Sequence, residues 1–171
     1  MIKMIVMDVD GVLTDGSINI AESAEEYRTF NIKDGMGIAL AMKADIRVVL
    51  LSARYSKALL QRAKELRIED VYQNASSKIA VLQELIKKHS LKKEEVAYIG
   101  DDINDMPAMK GVGFPCAVND AAEEVKSIAK HISKRDGGRG AVREIVETVL
   151  KSEGKYDSAV KSYLHDQEKK Q

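Results

Sequence analysis

The sequence predicts an α/β fold, a Rossmann-like parallel sheet with helices on both faces. Short apolar runs alternate along the chain with segments whose apolar residues recur at helical spacing. The apolar runs are nearly continuous, as expected for strands that are covered on both faces. Regular alternation of strands and helices favours a parallel sheet. These observations together give the fold class.

Five segments have the composition of strands. They are residues 2–10, 46–54 and 95–102, and, with weaker patterns, 111–118 and 130–133. Residues 17–32 interrupt the alternation, because two short strand-like runs flank a polar centre. We interpret this insert as a β-hairpin that projects from the end of the first strand. It is too short to form a separate cap domain.

Residues that can cap a helix precede four of the helical segments. They are Asp34, Ser56, Ser77 and Asp120, the last with Glu123 at the spacing of a capping box. A fifth amphipathic segment, residues 140–152, closes the pattern. We therefore predict one domain over residues 1–154, with the hairpin insert at about 17–32. The polar tail over residues 155–171 is expected to fray.

Composition narrows the class of protein. The 171 residues include 27 Lys and Arg and 27 Asp and Glu, so the formal net charge gives no indication of a nucleic-acid or membrane partner. The longest apolar runs fall well short of the roughly 20 residues that span a bilayer. The single cysteine, Cys116, permits no intramolecular disulfide and is expected to be a small buried residue. The apolar run at the N-terminus is too short for a secretory signal. We predict a cytoplasmic protein.

Acidic residues follow two of the predicted strands at their carboxyl ends. Asp8 and Asp10 end the first strand, and Asp101 follows the third, with Asp102 and Asp105 close behind. Open parallel sheets bind ligands beyond the carboxyl ends of their strands, so we expect these carboxylates to converge. Their mutual repulsion requires a cation, and hard oxygen ligands suit magnesium. The residues therefore predict a magnesium site.

A hydroxyl and two basic side chains belong to the same predicted edge. Ser52 ends the second strand with Arg54 just beyond it, and Lys78 begins the helix that precedes the third strand. A cation is unfavourable at a helix N-terminus, so the position of Lys78 favours an anionic partner. Each residue alone has another interpretation, because an acid at a strand end is often a turn former or a helix cap. For Asp102, a capping role or a role behind the metal ligands is at least as well supported as direct binding of the metal.

Several segments resemble the haloacid-dehalogenase-superfamily phosphatases. DVDGVLTDG at 8–16, Ser52, Lys78 and GDDINDM at 100–106 match the four motifs of that superfamily in order and spacing. Within it, the chain resembles the small, capless branch that contains 3-deoxy-D-manno-octulosonate 8-phosphate (KDO 8-phosphate) phosphatases. Nonulosonate 9-phosphate phosphatases and the phosphatase-like domains of some acylneuraminate cytidylyltransferases belong to the same branch. The segments that carry this narrower resemblance are FNIKDGMGI at 30–38, residues 96–121 and GGRGAVREI at 137–145.

One motif departs from the pattern of the branch. Residues 52–54 read Ser-Ala-Arg, where relatives commonly have Thr-Gly-Arg. Serine keeps the hydroxyl that would bind phosphate. Ala53 replaces a glycine that would permit close approach of a ligand to the backbone.

The resemblance implies hydrolysis of a phosphate monoester. Asp8 would be the nucleophile that forms an aspartyl-phosphate, and Asp10 the general acid and then the general base. Ser52 would bind the phosphoryl group, and Lys78 would neutralise it together with Asp8. Magnesium would be held by the carboxylates of Asp8 and Asp101 and by the backbone carbonyl of Asp10.

The resemblance also implies supporting residues and partners. Asp102 and Asp105 would lie behind the metal ligands and orient the metal or the lysine. From its position just beyond the second strand, Arg54 is expected to bind either the carboxylate of a sugar acid or the phosphate. Arg139, in the glycine-rich segment 137–140, is expected to reach the site of a neighbouring subunit. The branch is tetrameric with its hairpins at the centre, which implies a homotetramer.

The expected substrate is KDO 8-phosphate, a sugar-acid phosphate of lipopolysaccharide biosynthesis. The alternative is a nonulosonate (KDN or N-acylneuraminate) 9-phosphate or another sugar phosphate. A rival of a different class is a non-enzymatic phospho-acceptor signalling domain, because receiver domains also gather acids, a hydroxyl and a lysine around magnesium. A third is an inactive member of the fold that acts through oligomerisation. The order of the motifs favours the phosphatase over the signalling domain, and the intact set of motifs favours it over the inactive member.

Overall fold

The computed structural model of the protein describes residues 1–169 and contains a six-stranded sheet and a separate two-stranded hairpin. The strands of the sheet are β1 (Met4–Met7), β4 (Arg47–Leu51), β5 (Asp70–Tyr72), β6 (Val96–Gly100), β7 (Phe114–Ala117) and β8 (His131–Ile132). The hairpin consists of β2 (Asn19–Ile20) and β3 (Glu26–Tyr27), inside the predicted insert. The helices are α1 (Ile32–Lys43), α2 (Lys57–Leu66), α3 (Lys78–Lys88), α4 (Met106–Lys110), α5 (Glu123–Ile128), α6 (Ala141–Ser152) and α7 (Tyr156–Glu168).

The central position of β1 decides where a ligand can bind. The strand order is β5-β4-β1-β6-β7-β8, and every neighbouring pair is parallel. Met7, the last residue of β1, lies opposite Leu50 of β4 and Ile99 of β6. The chain runs outward from β1 to β5 and then returns to the other side of β1. Such a reversal opens a crevice at the carboxyl ends of the central strands. The predicted α/β parallel sheet is confirmed.

Two layers of helices explain why the strands have nearly continuous apolar sequences. Every residue of β1 and β6 is buried. Helix α1 packs against α2, α6 and α7, whereas α4 packs against α3 and α5. Helices α2 and α3 begin at the predicted caps Ser56 and Ser77, whose side chains accept hydrogen bonds from the first turn of each helix.

The predicted cap of α1 is wrong. Asn31 caps the helix instead, because its side chain accepts a hydrogen bond from the first turn, which begins at Ile32. Asp34 lies inside the helix and is 1% exposed. Its two carboxylate oxygens accept hydrogen bonds from the N–H groups of Gly140 and Arg143 at 3.2 and 3.0 Å. Asp34 therefore joins α1 to the start of α6.

The predicted capping box before α5 is also wrong. Ala122 occupies the N-cap position of this helix and makes no side-chain hydrogen bond there. Asp120 accepts a hydrogen bond from the N–H of Gly137 at 2.9 Å. Asp120 therefore binds a segment that is distant in the sequence, and the spacing of neighbouring residues does not reveal such a contact.

The predicted frayed tail is a helix over most of its length. Helix α7 buries Ala159, which is 1% exposed, and packs Tyr156 and Tyr163 against the core. Lys43 of α1 forms an ion pair with Asp166 of α7. The polar composition was misleading because only a narrow stripe of this helix faces α1 and α6. Residues 170 and 171 of the predicted tail lie outside the described residues.

The remaining sequence predictions about elements are met in part. The weak candidate at 130–133 contains β8. Strand β5 was not predicted, because it is a three-residue edge strand whose residues are only half-buried. Over residues 1–169, none of the helices combines the length and apolar character that a membrane span requires.

Candidate active site

A pocket of about 270 Å³ lies at the carboxyl ends of the central strands. Its lining residues are Asp8, Asp10, Gly16, Ile18, Ala53, Arg54, Lys78, Asp101, Asp102 and Asn104. Six of the predicted site residues are therefore brought together on its wall. Two more, Ser52 and Asp105, are fully buried and contact lining residues from behind.

The turn after β1 lets two acidic strand ends approach each other. Asp8 follows β1 directly and is 5% exposed, and its N–H donates to the carbonyl of Ile99 in β6 at 3.0 Å. Gly11 has a φ of +87°, and a Cβ placed there would lie 2.0 Å from Oδ2 of Asp101. Only glycine satisfies both the left-handed backbone and this close approach. Gly11 therefore allows Asp101 to lie beside the Asp8 loop.

The carboxylates in the pocket fit a divalent cation. Oxygens of Asp8, Asp101 and Asp105 all lie within 4.8 Å of one another. Over the described residues, Oδ1 of Asp101 is buried without a hydrogen-bond partner. Burial, with the charges of Asp8 and Asp105, raises the pKa of Asp101 to about 8. Burial and the charge of Asp105 raise the pKa of Asp8 to about 6. Crowded carboxylates with an unused oxygen are a donor set that suits a hard ion such as Mg²⁺.

Asp105 is already engaged by its neighbours. Its Oδ1 accepts hydrogen bonds from Nζ of Lys78 and from the hydroxyl of Tyr98, both at 2.7 Å. Its Oδ2 accepts from the backbone N–H of Asp101 at 3.1 Å. Asp105 is therefore better placed to orient these groups than to bind a metal itself. Tyr98 was missed by the sequence analysis, because a tyrosine inside a buried strand is indistinguishable from an ordinary core residue.

Lys78 is the cation inside the acidic cluster. Its Nζ lies 2.9 Å from Oδ1 of Asp8 and 2.7 Å from Oδ1 of Asp105. Burial alone would lower the pKa of Lys78, but the two carboxylates outweigh burial and raise it. The lysine therefore stays protonated and partly neutralises Asp8.

Asp102 caps a short helix at the edge of the pocket, and its role behind the metal ligands stays a prediction. It lines the pocket and is exposed. Its Oδ1 also accepts a hydrogen bond from the N–H of Ile103 at 2.7 Å, at the start of a short 3₁₀ helix over Ile103–Asp105. This cap holds the chain in the turn that carries Asp105 under the pocket.

Asp10 is contacted from two sides. Nη1 of Arg28 lies 3.1 Å from its Oδ1, and the hydroxyl of Ser52 donates to its Oδ2 at 3.5 Å. The Ser52 oxygen also accepts from the N–H of Arg54 at 3.1 Å. Sequence analysis did not single out Arg28, because an arginine in a short polar hairpin carries no motif.

Arg139 is not brought into the pocket lining. Its Nη2 lies 3.3 Å from Oδ2 of Asp15 in the same chain, and its side chain is 68% exposed. The segment around it packs on the β1 loop, since the N–H of Gly138 donates to the carbonyl of Val12 at 2.9 Å. Arg139 therefore lies at the rim. A role in a neighbouring subunit stays a prediction.

A larger cavity of about 540 Å³ lies between α1, α2 and α7. Met36, Leu66 and Tyr163 are among its lining residues, and none of the predicted site residues contributes to it. Size therefore does not identify the active site in this protein. The acids, the hydroxyl and the lysine are grouped at the smaller pocket.

The fold and the pocket define a class of protein: an α/β enzyme with a cation-dependent anion site at the carboxyl ends of its strands. A family model described as haloacid dehalogenase-like hydrolase matches residues 61–145. The 3-deoxy-D-manno-octulosonate 8-phosphate phosphatase of Escherichia coli K12 is 40% identical over 158 residues, which cover 92% of this chain and 84% of that protein. The chain belongs to the haloacid dehalogenase-like hydrolases.

Solved structures agree with this assignment. The KDO 8-phosphate phosphatase of Moraxella catarrhalis, solved with magnesium, phosphate and KDO, has a TM-score of 0.91 at 34% identity, covering 95% of this chain and 93% of that one. The cobalt-bound enzyme of Haemophilus influenzae has a TM-score of 0.89 at 37% identity, covering 95% and 96%. The resemblance inferred from the motifs is confirmed at the level of family and fold.

Proposed function

We propose that the protein is a magnesium-dependent phosphatase that hydrolyses KDO 8-phosphate through an aspartyl-phosphate. One observation carries the proposal: Asp8 and Asp101 come from adjacent strands and present oxygens within 4.8 Å of each other. Lys78, whose Nζ lies 2.9 Å from Oδ1 of Asp8, is the only positively charged side chain that forms an ion pair with Asp8 among residues 1–169. The identity to curated KDO 8-phosphate phosphatases supports the substrate.

Asp8 is the proposed nucleophile. Burial raises the pKa of Asp8 to about 6, so its carboxyl group is ionised in most molecules at neutral pH. The charge of Lys78 favours this ionised form. Its carboxylate attacks the phosphorus in line with the leaving oxygen and forms an acyl phosphate. Lys78 then lies beside both the nucleophile and the transferred group, where its charge offsets the negative charge of the phosphoryl oxygens.

Asp10 is the proposed proton carrier. It gives a proton to the departing alkoxide and then takes one from the water that hydrolyses the acyl phosphate. Ser52 contacts Asp10 at 3.5 Å, a weak hydrogen bond for a hydroxyl, so its proton can turn towards a phosphoryl oxygen. Arg54 lines the pocket and is the proposed ligand of the substrate carboxylate.

The residues that would hold Mg²⁺ are Asp8, Asp101 and the backbone carbonyl of Asp10. The buried, unpaired oxygen of Asp101 supports this assignment over Asp105, whose oxygens already accept hydrogen bonds. When bound, the ion would supply positive charge to the phosphoryl oxygens as a Lewis acid. Asp102 and Asp105 support the site from behind through the contacts described above.

The proposed assembly is a homotetramer built through the hairpin. Ile18, Ile20 and Tyr27 are 58%, 66% and 58% exposed, and Ile32 beside them is 81% exposed. Apolar side chains grouped on a projecting hairpin favour burial against other copies. A role in lipopolysaccharide synthesis and a cytoplasmic location stay predictions from the sequence.

A phosphate-release screen with Mg²⁺ tests the proposal. The substrates are KDO 8-phosphate, a nonulosonate 9-phosphate and common hexose and pentose phosphates. We expect rapid multiple turnover, which a phospho-acceptor signalling domain would not show, and the highest kcat/KM for KDO 8-phosphate. Equal activity on all of them would remove the sugar-acid specificity. Asp8→Asn should keep the fold and lose activity at least about a thousandfold, as removal of a catalytic nucleophile does.

A further inference from the structure

The hairpin carries an arginine that touches the proposed proton carrier of its own chain. Arg28 follows β3, and its side chain is 2% exposed, whereas Tyr27 beside it is 58% exposed. Its Nη1 lies 3.1 Å from Oδ1 of Asp10. Within residues 1–169, neither terminal nitrogen of Arg28 makes an aligned hydrogen bond. A buried guanidinium is costly without a compensating charge and acceptors for its donors; Glu26 supplies the charge, and Oδ1 of Asp10 is the acceptor that faces Nη1.

Arg28 belongs to a chain of ion pairs that ends at the pocket wall. Its Nε donates to Oε1 of Glu26 at 3.0 Å, and Oε2 of Glu26 accepts from Nη2 of Arg54 at 2.5 Å. Glu26 thus holds both arginines in place. The hairpin is therefore attached to the turn after β1 and to the turn after β4, which both contribute to the pocket wall.

We propose that Arg28 is a positioning residue that orients the carboxyl group of Asp10 for proton transfer. A guanidinium has only donors, so it can face only an unprotonated carboxyl oxygen. Because Arg28 faces Oδ1, the other oxygen, Oδ2, which faces Ser52, is left as the one that carries the transferred proton. This is the side on which the phosphoryl group is proposed to bind.

This inference rests on the proposed function. As the bond between Asp8 and phosphorus forms, the bond from phosphorus to the leaving oxygen breaks. The proton on Oδ2 of Asp10 passes to that oxygen, which leaves as an alcohol. Without Arg28 the carboxyl group loses its closer partner, since the remaining contact to Ser52 is 3.5 Å. The proton donor is then misplaced, although nucleophile and lysine are untouched.

The test compares two leaving groups. The alkoxide of KDO 8-phosphate needs a proton to leave, whereas p-nitrophenolate leaves without one. In Arg28→Met we expect kcat for KDO 8-phosphate to fall about 30-fold and kcat for p-nitrophenyl phosphate to fall less than about threefold, since general acid catalysis contributes about 10²–10⁴. KM should change little for either substrate. Arg28→Lys, which keeps the charge, should recover most of the activity.

Several outcomes would overturn the inference. They are unchanged kcat in Arg28→Met, equal losses on both substrates, and a lysine variant no better than the methionine variant. Arg28→Gln replaces Arg28→Met if that variant does not fold, as judged by thermal unfolding. Glu25→Gln, at an exposed position of the same hairpin, is the matched control and should behave as wild type.

Asp10→Asn separates the two proposals. It should show the same dependence on the leaving group with a larger loss than Arg28→Met. If Asp10→Asn is as active as wild type on KDO 8-phosphate, or wild type does not hydrolyse it, the proposed function is wrong. If Asp10→Asn is impaired and Arg28→Met is not, only the role of Arg28 is wrong.

Discussion

Replacing Asp101 with asparagine should stabilise the metal-free protein at high pH, although it removes a proposed metal ligand. Burial, with the charges of Asp8 and Asp105, raises the pKa of Asp101 from 3.8 to about 8. Between these values the folded chain still holds a proton that the unfolded chain has released. Because the folded state binds more protons there, a rise in pH lowers the free energy of unfolding. Asparagine does not ionise and avoids this loss.

The size of the effect follows from linkage. One proton contributes at most about 1.4 kcal/mol per pH unit. Asp101 lies on the pocket wall and is only partly buried, so water screens part of the penalty. At about pH 8 we therefore expect the free energy of unfolding of Asp101→Asn to exceed that of wild type by about 2 kcal/mol. This difference is well below the limit set by linkage.

The assay is urea-induced unfolding in a chelating buffer at several pH values, followed by circular dichroism. Asp102→Asn is the matched control, because that neighbouring acid is exposed. Added Mg²⁺ should reverse the order, since a ligand at a hundred times its Kd stabilises by about 2.7 kcal/mol and only wild type keeps the full donor set. Parallel curves of stability against pH for wild type and Asp101→Asn, without metal, would refute the reasoning.

Two further predictions concern residues outside the carboxylate cluster. Gly137→Ala should lower the free energy of unfolding by about 3 kcal/mol in a urea titration, because the new Cβ would lie 1.8 Å from the carbonyl oxygen of Gly11. Gly154→Ala, whose Cβ would meet nothing within 4 Å, should lose only about 1 kcal/mol, and equal losses would contradict this account. Cys116 is buried, and burial raises the pKa of its thiol, so a thiol reagent should modify it only as the protein unfolds. Rapid modification of the folded protein would contradict that prediction.

The sequence predicted the elements that produce a recognisable pattern among neighbouring residues. Strands β1, β4 and β6 are buried on both faces, so their sequences are almost uninterrupted apolar runs. Polar residues mark the points where these strands end. Asp8, Lys78 and Asp101 could therefore be assigned to one edge of a sheet, and the structure places them around one pocket.

The features that were missed depend on contacts between distant segments. Asp34 looks like a helix cap in the sequence, but its partners, Gly140 and Arg143, lie more than 100 residues away, at the start of α6. Tyr98 and Arg28 act through single polar atoms that reach Asp105 and Asp10. Nothing in the neighbouring sequence distinguishes such side chains from ordinary core or surface residues. Ala159 of α7 shows the same limit, because its burial depends on the surface that α1 and α6 present.

The location of β1 also has a consequence for synthesis of the protein. Met4 pairs with Arg47 on one side and with Val96 on the other, so β1 is synthesised before both of the strands that pair with it. Until β6 has been synthesised, one edge of this apolar strand has unpaired backbone groups, which favours aggregation. The pocket cannot be complete before β6 is in place, because Asp101 follows that strand.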